Sequence, residues 1–427
     1  MSSLIDHVKR AKDASLELAS IVSEQKNRAL IYLEDSIKEN KKRILEENEK
    51  DVEKAKASNL NASLIERLAL DDEKIDKIIE IVESVKSLED PIGKTIEKTQ
   101  LDKNLILEKI TVPIGLIAAI FESRPDALIQ ISSLCIKSGN AVLLKGGSEA
   151  SNTNKMLAGL VRASLKKANI PKESVQLLET REEVKELLGM HDFIDLIIPR
   201  GSNKLVRYIQ ENTKIPVLGH SEGICHIYVD KDADIGKAVA ICLDAKCQYP
   251  AACNSMETLL VHKDIAQKFL PFISKKFEEA NVELRGDEST KKIIGVKRAT
   301  EEDWSMEYSS LILSIKIVNN LDEAIVHINK YGSKHTDAII TENSEAAKKF
   351  LALVDSSSVM HNCSTRFADG FRYGKGAEVG ISTSKIHARG PVGLEGLTIY
   401  KYLLKGNGQI VSDYSEGKKK FTNKRLK

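Results

Sequence analysis

Cys253 is the residue of this sequence best suited by type and position to covalent chemistry. It lies in the segment QYPAACN at 248–254, after a helical pattern over 234–247 and before an apolar strand pattern. Small neighbours leave a thiol sterically open, and backbone N–H groups at such a junction can lower its pKa and stabilise an oxyanion. The alternative is a buried structural cysteine, which is the usual environment of this residue type.

Two predicted strand ends carry residues suited to a phosphate group. The strand pattern AVLLK ends at Lys145, and Gly146 and Ser148 follow it, whereas the pattern DLIIPRG ends at Gly201 and is followed by Ser202. A lysine, unpaired backbone N–H groups and a helix N-terminus at such ends suit a dinucleotide. An ordinary strand-to-helix turn is the alternative at both places, and no G-x-G-x-x-G fingerprint is present.

Polar loops supply further candidates. The stretch 361–391 is polar and rich in glycine, and its charged residues include Arg366, Arg372, Glu378 and Arg389, which favours a binding loop over a flexible connector. His220 and His335 are candidates for proton transfer, although a loop histidine is more often a simple polar contact.

Length and composition restrict the class of protein. A chain of 427 residues is too long for one hydrophobic core and predicts two or three domains. The net charge of +2 and the aromatic content of 5% give no indication of a nucleic-acid partner. No apolar stretch is long enough for a transmembrane helix, so no membrane partner is expected. Six scattered cysteines form neither a disulfide framework nor a zinc motif, which predicts free thiols and a cytoplasmic location.

The pattern of the chain predicts an α/β protein. Residues 1–90 contain neither proline nor glycine, and their apolar residues recur at helical spacing. From residue 91 onward, short apolar runs alternate with helical patterns, which predicts a mostly parallel, doubly wound sheet. Residues 396–410 are expected to form a strand pair with a turn near Gly406, packed on a hairpin around 94–112 or on another subunit.

Several longer segments together resemble one family. They are VPIGLIAAIFESRPDA, SGNAVLLKGGSEA, PVLGHSEGICHIYVD, YPAACNSMETLLVH, KHTDAIIT and STRFADGFRYG followed by GAEVGIST. In this order they resemble the γ-glutamyl phosphate reductase family of the aldehyde dehydrogenase superfamily, and the resemblance extends to about residue 413. Lys375 and Cys363 stand where apolar or small residues are more usual in that family.

The resemblance implies an aldehyde dehydrogenase-like fold with three parts. Residues 1–91 and 113–237 would form a Rossmann-like cofactor-binding domain, and residues 238–395 an α/β catalytic domain with Cys253. Residues 92–112 and 396–413 would form a small β flap for oligomerisation. The basic residues 414–427 are expected to be a disordered, solvated tail, with nucleic-acid contact as the alternative.

The resemblance also implies an activity and residues that perform it. The activity is the NADPH-dependent reduction of L-glutamyl 5-phosphate to glutamate 5-semialdehyde, phosphate and NADP, the second step of proline synthesis from glutamate. Cys253 matches the nucleophile and Lys145 the lysine at the adenosine ribose. Gly201 and Ser202 match the turn beside the pyrophosphate, and Glu307 matches the glutamate at the nicotinamide ribose.

The expected chemistry requires no hydrolytic base. Hydrolytic relatives carry a general-base glutamate in the stretch that matches 216–222, and here no glutamate stands at the matching position. A thioester on Cys253 would therefore be reduced rather than hydrolysed. Arg124 matches an asparagine that assists the oxyanion in relatives, and it could instead bind the substrate's phosphate or carboxylate, or lie on the surface.

The remaining expectations concern substrate and partners. Asp337, Ser364 and Arg366 are the candidates for binding the glutamyl end of the substrate, because its charged groups require an acid and a base or amide. A homo-oligomer, dimer or tetramer, is expected, and a separate glutamate 5-kinase is a candidate partner since acyl phosphates are labile.

Three other functions compete with this interpretation. They are a hydrolytic aldehyde dehydrogenase, a non-enzymatic protein that binds nucleic acid through its tail, and the reductase part of a fused kinase–reductase. The chain is too short for the last of these, and its first 90 residues are helical rather than kinase-like.

Overall fold

The computed structural model describes residues 4–220 and 222–426, and it divides into two compact units. The first unit falls within Met1–Leu218, Lys375–Gly380 and Val392–Lys427, and the second comprises Gly219–Gly374 and Ile381–Pro391. Within the described residues, no helix combines the length and the apolar character needed to cross a membrane.

The first unit begins with amphipathic helices, as the spacing of apolar residues predicts. Val8, Ala11 and Leu18 are fully buried or nearly so, because they share one helix face that packs inward. The first helix ends at Leu18, and Val22 is the exposed N-cap of the next helix. The helices are α1 (Leu4–Leu18), α2 (Ser23–Glu39), α3 (Lys41–Ala57), α4 (Ala62–Leu68) and α5 (Asp72–Ser87).

A four-stranded parallel sheet forms the core of the first unit, in the order β5-β4-β3-β6. Its strands are buried on both faces, which is why they are continuous apolar runs. This confirms the predicted doubly wound sheet. The strands are β3 (Leu116–Phe121), β4 (Ala141–Lys145), β5 (Val175–Leu178) and β6 (Leu196–Arg200), and the helices that follow them are α6 (Pro125–Lys137), α7 (Ser151–Lys167), α8 (Arg181–Leu187) and α9 (Asn203–Glu211).

The second unit contains a larger parallel sheet, in the order β10-β9-β11-β8-β7-β12-β13. Its strands are β7 (Cys225–Val229), β8 (Met256–His262), β9 (Glu283–Gly286), β10 (Lys297–Arg298), β11 (Ile312–Val318), β12 (Thr336–Ile340) and β13 (Ser358–His361). Its helices are α10 (Ile235–Cys247), α11 (Lys263–Glu279), α12 (Glu288–Lys291), α13 (Leu321–Tyr331) and α14 (Ser344–Leu353). Phe269 and Phe277 of α11 are fully buried in the core on one face of this sheet.

The limit between the units differs from the predicted one at 237/238. Strand β7 pairs with β8 and β12, so it belongs to the sheet of the second unit rather than to the sheet of the first. The second unit accordingly begins at Gly219. A single buried apolar strand carries no signal for the sheet it joins, because that choice is made by tertiary contacts.

An antiparallel sheet completes the first unit, in the order β16-β2-β1-β17. Strands β1 (Thr95–Asp102) and β2 (Leu105–Pro113) form a hairpin, and β16 (Thr398–Lys405) pairs with β2 along its length. The predicted packing of this segment on the early hairpin is confirmed. The predicted second strand after Gly406 is wrong, because helix α15 (Val411–Ser415) follows the turn. Strands β14 (Ile381–Ser382) and β15 (Gly390–Pro391) form a separate two-stranded pair in the second unit.

The basic tail differs from its predicted disorder over the residues that are described. Strand β17 (Lys424–Leu426) pairs with β1, and the Tyr414 hydroxyl donates to Asp102 at 2.9 Å. The rings of Tyr414 and Phe421 stack with centroids 4.3 Å apart. The edge of the hairpin sheet offers unpaired N–H and C=O groups, and the tail satisfies some of them. Lys427 lies outside the described residues.

Candidate active site

Cys253 lies in the turn between helix α10 and strand β8, as the sequence predicts. Its thiol is partly exposed, and the turn is closed by hydrogen bonds from Ala252 N to Tyr249 O at 3.2 Å and from Ser255 N to Ala252 O at 2.9 Å. Strand β8 lies inside its sheet, between β11 and β7. The thiol is therefore held at one end of a well-packed strand and remains accessible, which a nucleophile requires.

The main chain of Gly223 approaches the main chain of Cys253 so closely that no side chain fits between them. A Cβ atom at position 223 would lie 2.0 Å from Cys253 O and 2.6 Å from its Cα. The thiol of Cys225 also donates to Cys253 O at 3.3 Å. Burial raises the pKa of Cys225 well above the ordinary range, so this neighbour stays a protonated donor. Gly223 and Cys225 thus fix the backbone of Cys253, a role that the sequence did not indicate.

Two histidines lie beside Cys253. One ligand-type atom from each of His220, Cys253 and His335 lies within 4.8 Å of the other two, and the two imidazole rings meet edge to face with centroids 4.6 Å apart. His220 is half buried and its Nδ1 lies 2.8 Å from Ile381 O, which requires a proton on Nδ1. His335 is fully buried, and its Nδ1 lies 2.8 Å from Thr336 Oγ1. The predicted proton-transfer candidates and the predicted nucleophile are therefore brought together.

Arg366 provides positive charge to the same part of the second unit. It is largely buried, its Nε donates to Gln248 Oε1 at 2.9 Å, and its guanidinium lies 5.8 Å from the centre of the Tyr249 ring. Burial lowers the pKa of Arg366 and the nearby Arg372 adds to this effect, whereas a thiolate at Cys253 would oppose it. Since an arginine keeps its proton at neutral pH in any case, Arg366 can bind a carboxylate or a phosphate.

The other two predicted substrate residues have mainly structural contacts. Ser364 is buried and accepts a hydrogen bond from Arg366 N at 3.3 Å, so it caps the short helix that carries this arginine. Asp337 is fully buried in β12, where it accepts bonds from His226 N at 2.7 Å, from His226 Nδ1 at 2.9 Å and from the Ser356 hydroxyl. A carboxylate with these partners joins β12 to β7, and the substrate contact of Asp337 stays a prediction.

Glu307 lies in the loop before β11, next to a carboxylate network centred on Asp303. The Asp303 carboxylate accepts hydrogen bonds from Thr300 N, Tyr308 Oη and Arg285 Nη1 at 2.6–2.7 Å. Burial opposes its ionisation, but these hydrogen bonds outweigh burial and hold the pKa of Asp303 at about 2. The loop is thereby fixed. Burial is the main cause that raises the pKa of Glu257, and Glu307 lies close enough to add to this rise.

The predicted nucleotide residues of the first unit gather at the carboxyl end of its parallel sheet. Lys145 ends β4 and is buried, and its Nζ donates to Gly146 O at 2.5 Å. A Cβ at Gly146 would lie 2.2 Å from the Asn154 amide nitrogen and 2.9 Å from the Phe121 ring, so a larger residue would have to displace these side chains. The surface cavity there is lined by Gly146, Gly147, Ser148, Ser151, Asn154, Lys155, Leu177, Leu178 and Glu179.

The turn after β6 has a feature that the sequence did not reveal. Ser202 is the N-cap of α9, and its backbone N–H donates to Glu122 Oε2 at 2.7 Å. A Cβ at Gly201 would lie 2.4 Å from the same oxygen. The amide predicted to receive a pyrophosphate is therefore bonded to an internal carboxylate, which a dinucleotide would have to displace.

Arg124 is the N-cap residue of α6 and is exposed, with a single ion pair to Asp126 at 3.3 Å. Because an exposed pair of this length contributes little to stability, Arg124 can change partners at low cost.

Hydrolytic relatives carry their base in the stretch that matches 216–222. Within that stretch, Ser221 lies outside the described residues.

Comparison with known proteins agrees with this geometry. The model of the aldehyde dehydrogenase family matches residues 4–295. A γ-glutamyl phosphate reductase of Pelotomaculum thermopropionicum is 56% identical over 98% of this chain and 96% of its own, and one of Acetivibrio thermocellus is 54% identical over 98% and 97%.

A solved structure shows the same relationship. The crystal structure of a γ-glutamyl phosphate reductase from Thermotoga maritima covers 96% of this chain and all of its own, with a TM-score of 0.94 and 43% identity. An acetylating aldehyde dehydrogenase of Geobacillus thermoglucosidasius, at 18% identity and a TM-score of 0.66, shares the fold. The chain therefore belongs to the γ-glutamyl phosphate reductase family of oxidoreductases, within the aldehyde dehydrogenase family.

Proposed function

We propose that this chain reduces L-glutamyl 5-phosphate to glutamate 5-semialdehyde with NADPH and releases phosphate, as a step of proline synthesis. The observation that carries the proposal is the accessible Cys253 thiol beside His220 and His335, in a chain that is 56% identical to a γ-glutamyl phosphate reductase. A thiol with an adjacent imidazole is the arrangement by which enzymes generate a thiolate nucleophile.

The residues of the second unit account for the covalent steps. One of the two imidazoles takes the proton of Cys253, and the thiolate attacks the carbonyl carbon of the acyl phosphate. The carbon–oxygen bond to phosphate breaks, and the product is a thioester on Cys253. NADPH, when bound, would supply the hydride that reduces this thioester. The hemithioacetal oxyanion would then collapse and expel the thiolate, so the aldehyde leaves and Cys253 takes back its proton from the imidazole.

Reduction is favoured over hydrolysis by the residues around Cys253. The stretch that carries a base glutamate in hydrolytic relatives here carries His220, whose Nδ1 is oriented by Ile381 O at 2.8 Å. Arg366, with its buried positive charge, is the proposed contact for the carboxylate or phosphate of the substrate. Arg124 is proposed as a second, mobile contact because it is exposed and weakly paired. Ser364 would act by holding the short helix of Arg366.

The cofactor is proposed to be NADPH, bound by residues at two places. Lys145, Gly146 and Ser148 would hold the adenosine end, and Ser202 would hold the pyrophosphate after Glu122 has moved. Glu307 would hold the nicotinamide ribose, since the Asp303 network fixes its loop. A glyceraldehyde-3-phosphate dehydrogenase of the same fold, from Methanocaldococcus jannaschii, was crystallised with NADP.

Self-association is proposed to use the flap, which is the antiparallel sheet of β16, β2, β1 and β17. Four large hydrophobic side chains of its strand β16 are exposed, namely Ile399, Tyr400, Tyr402 and Leu404. A second copy of this chain would remove them from water. Light scattering is expected to give a dimer or tetramer that Tyr402→Asp dissociates, and an unchanged mass would contradict the flap as the interface.

A cytoplasmic location is proposed because the cysteines are free thiols. A separate glutamate 5-kinase is proposed as a partner because acyl phosphates are labile.

Phosphate dependence tests the proposed reaction. Assayed in reverse, the chain is expected to reduce NADP with glutamate 5-semialdehyde only when phosphate is present, because phosphate must cleave the thioester. The rate is expected to be lower with NAD, since Lys145 suits the phosphate that distinguishes NADP. Steady turnover without phosphate would show a hydrolytic aldehyde dehydrogenase instead, and would contradict the proposal.

A further inference from the structure

The cluster of His220, Cys253 and His335 also has the composition of a metal site. It combines one thiolate with two imidazoles, and its three ligand-type atoms lie within 4.8 Å of one another. In tetrahedral zinc sites, bonds of about 2.0–2.3 Å place neighbouring ligand atoms roughly 3.3–3.8 Å apart. Side-chain movements that shift the ligand atoms by about an ångström would therefore bring all three ligands onto one ion.

The surroundings of both imidazoles support this inference. Metal-bound histidines usually donate their second ring N–H to a carbonyl or hydroxyl, which fixes the ring orientation. His220 Nδ1 lies 2.8 Å from Ile381 O, and His335 Nδ1 lies 2.8 Å from Thr336 Oγ1. In His220, Nε2 is therefore the nitrogen that carries the lone pair, and His335 has the same tautomer when the Thr336 hydroxyl accepts its Nδ1 proton.

His335 provides an independent observation. It is fully buried, and its Nε2 has no hydrogen-bond partner among the residues that the structure describes. A buried imidazole nitrogen without a partner is costly, because it has lost its water and gained nothing in exchange. A metal ion would satisfy it. The ligand set of sulfur and imidazole nitrogen selects zinc or a similar borderline-soft cation over magnesium or calcium.

We propose that His220, Cys253 and His335 bind a zinc-type divalent cation, with water or a substrate oxygen as the fourth ligand, and that the bound ion reversibly inhibits the enzyme. The ion takes up the sulfur lone pair that would attack the substrate, so binding of metal and acylation exclude each other. Metal binding stands on the geometry alone, whereas the inhibition rests on the proposed function.

Cobalt(II) is the probe for metal binding, on enzyme without a histidine tag and freed of metal by chelation. The full chain is expected to bind one Co²⁺ with a thiolate-to-cobalt charge-transfer band, which zinc abolishes by displacement. Cys253→Ala should remove the band, and His220→Ala with His335→Ala should weaken binding by about tenfold or more. Cys247→Ala, which removes another partly buried thiol, should leave band and affinity unchanged.

Activity is measured on the same preparations. Zinc is expected to inhibit competitively with glutamate 5-semialdehyde, and chelation should restore the rate. A normal band together with no phosphate-dependent activity would overturn the proposed function and retain the metal site. Full activity without a charge-transfer band, or an unchanged band in Cys253→Ala, would overturn the metal site and retain the function. Circular dichroism of each variant verifies that it is folded.

Discussion

Replacement of Cys253 by serine should lower kcat/KM for phosphate-dependent NADP reduction by at least about 10³-fold. A serine hydroxyl is a far weaker nucleophile than a thiolate at neutral pH, and the neighbouring imidazoles do not make up the difference. Cofactor binding should be unchanged, because the proposed nucleotide residues lie in other segments, at 145–148, 201–202 and 307. Steady-state kinetics and nucleotide fluorescence titration measure the two effects separately.

The matched control is Cys247→Ser. This thiol is also partly buried, but it lies at the end of α10 and packs against the apolar core of the second unit. We expect its replacement to change kcat/KM by less than about threefold, since it makes none of the proposed contacts. Substantial turnover by Cys253→Ser, or an equal loss in both variants, would rule out Cys253 as the nucleophile.

Replacement of Lys246 by methionine should destabilise the fold by about 3–5 kcal/mol. Lys246 Nζ lies 2.6 Å from Glu257 Oε2, both side chains are fully buried, and Ser309 N donates to Glu257 Oε1 at 3.1 Å. In the intact pair, the attraction between the two charges roughly offsets the free energy lost by removing both from water. Removal of the lysine leaves a buried carboxylate without a counter-charge. The free energy of unfolding in urea measures the loss.

The double variant Lys246→Met with Glu257→Leu isolates the cause. Because it removes both charges and keeps the volume, it should recover most of the stability that the single variant loses. A double variant as unstable as Lys246→Met would show that shape rather than charge makes this site important.

The pH dependence of Lys246→Met gives a second readout. Burial raises the pKa of Glu257 to about 7, and Lys246 opposes this rise. The folded-state pKa of Glu257 lies above its unfolded-state value. The stability that this difference contributes to the fold is therefore fully present below the unfolded-state pKa, and it is lost as the pH rises through about 7. Without Lys246 the pKa should rise further, so the variant should be destabilised less at about pH 5 than at about pH 8. An equal loss at both pH values would contradict an uncompensated carboxylate.

The elements were predictable where local pattern decides them. The buried strands β3, β4 and β6 are continuous apolar runs, and helix α10 followed by Pro250 and small residues placed Cys253 at a helix-to-strand turn. These features depend on residues close together in the chain, so spacing and residue type are enough to predict them.

The rest of the site depends on contacts between distant segments. No local pattern shows that His335 reaches Cys253, that Gly223 must lack a side chain to let its main chain approach Cys253, or that Glu122 occupies the amide of Ser202. The bonds of Asp337 to His226 were unpredictable for the same reason, since a polar residue in a strand can face either a substrate or a buried partner. The tail strand β17 contains Lys424 and Arg425, and its order comes from the edge of β1 rather than from its own composition.

A single turnover without phosphate tests the thioester on Cys253 most directly. Enzyme mixed with NADP and glutamate 5-semialdehyde should produce a burst of about one NADPH per active site, because acylation proceeds and phosphate is missing for the next step. Acid quenching within the burst, followed by proteolysis and mass spectrometry, should find a glutamyl adduct on the peptide that contains Cys253. No burst, or an adduct on another residue, would contradict the account.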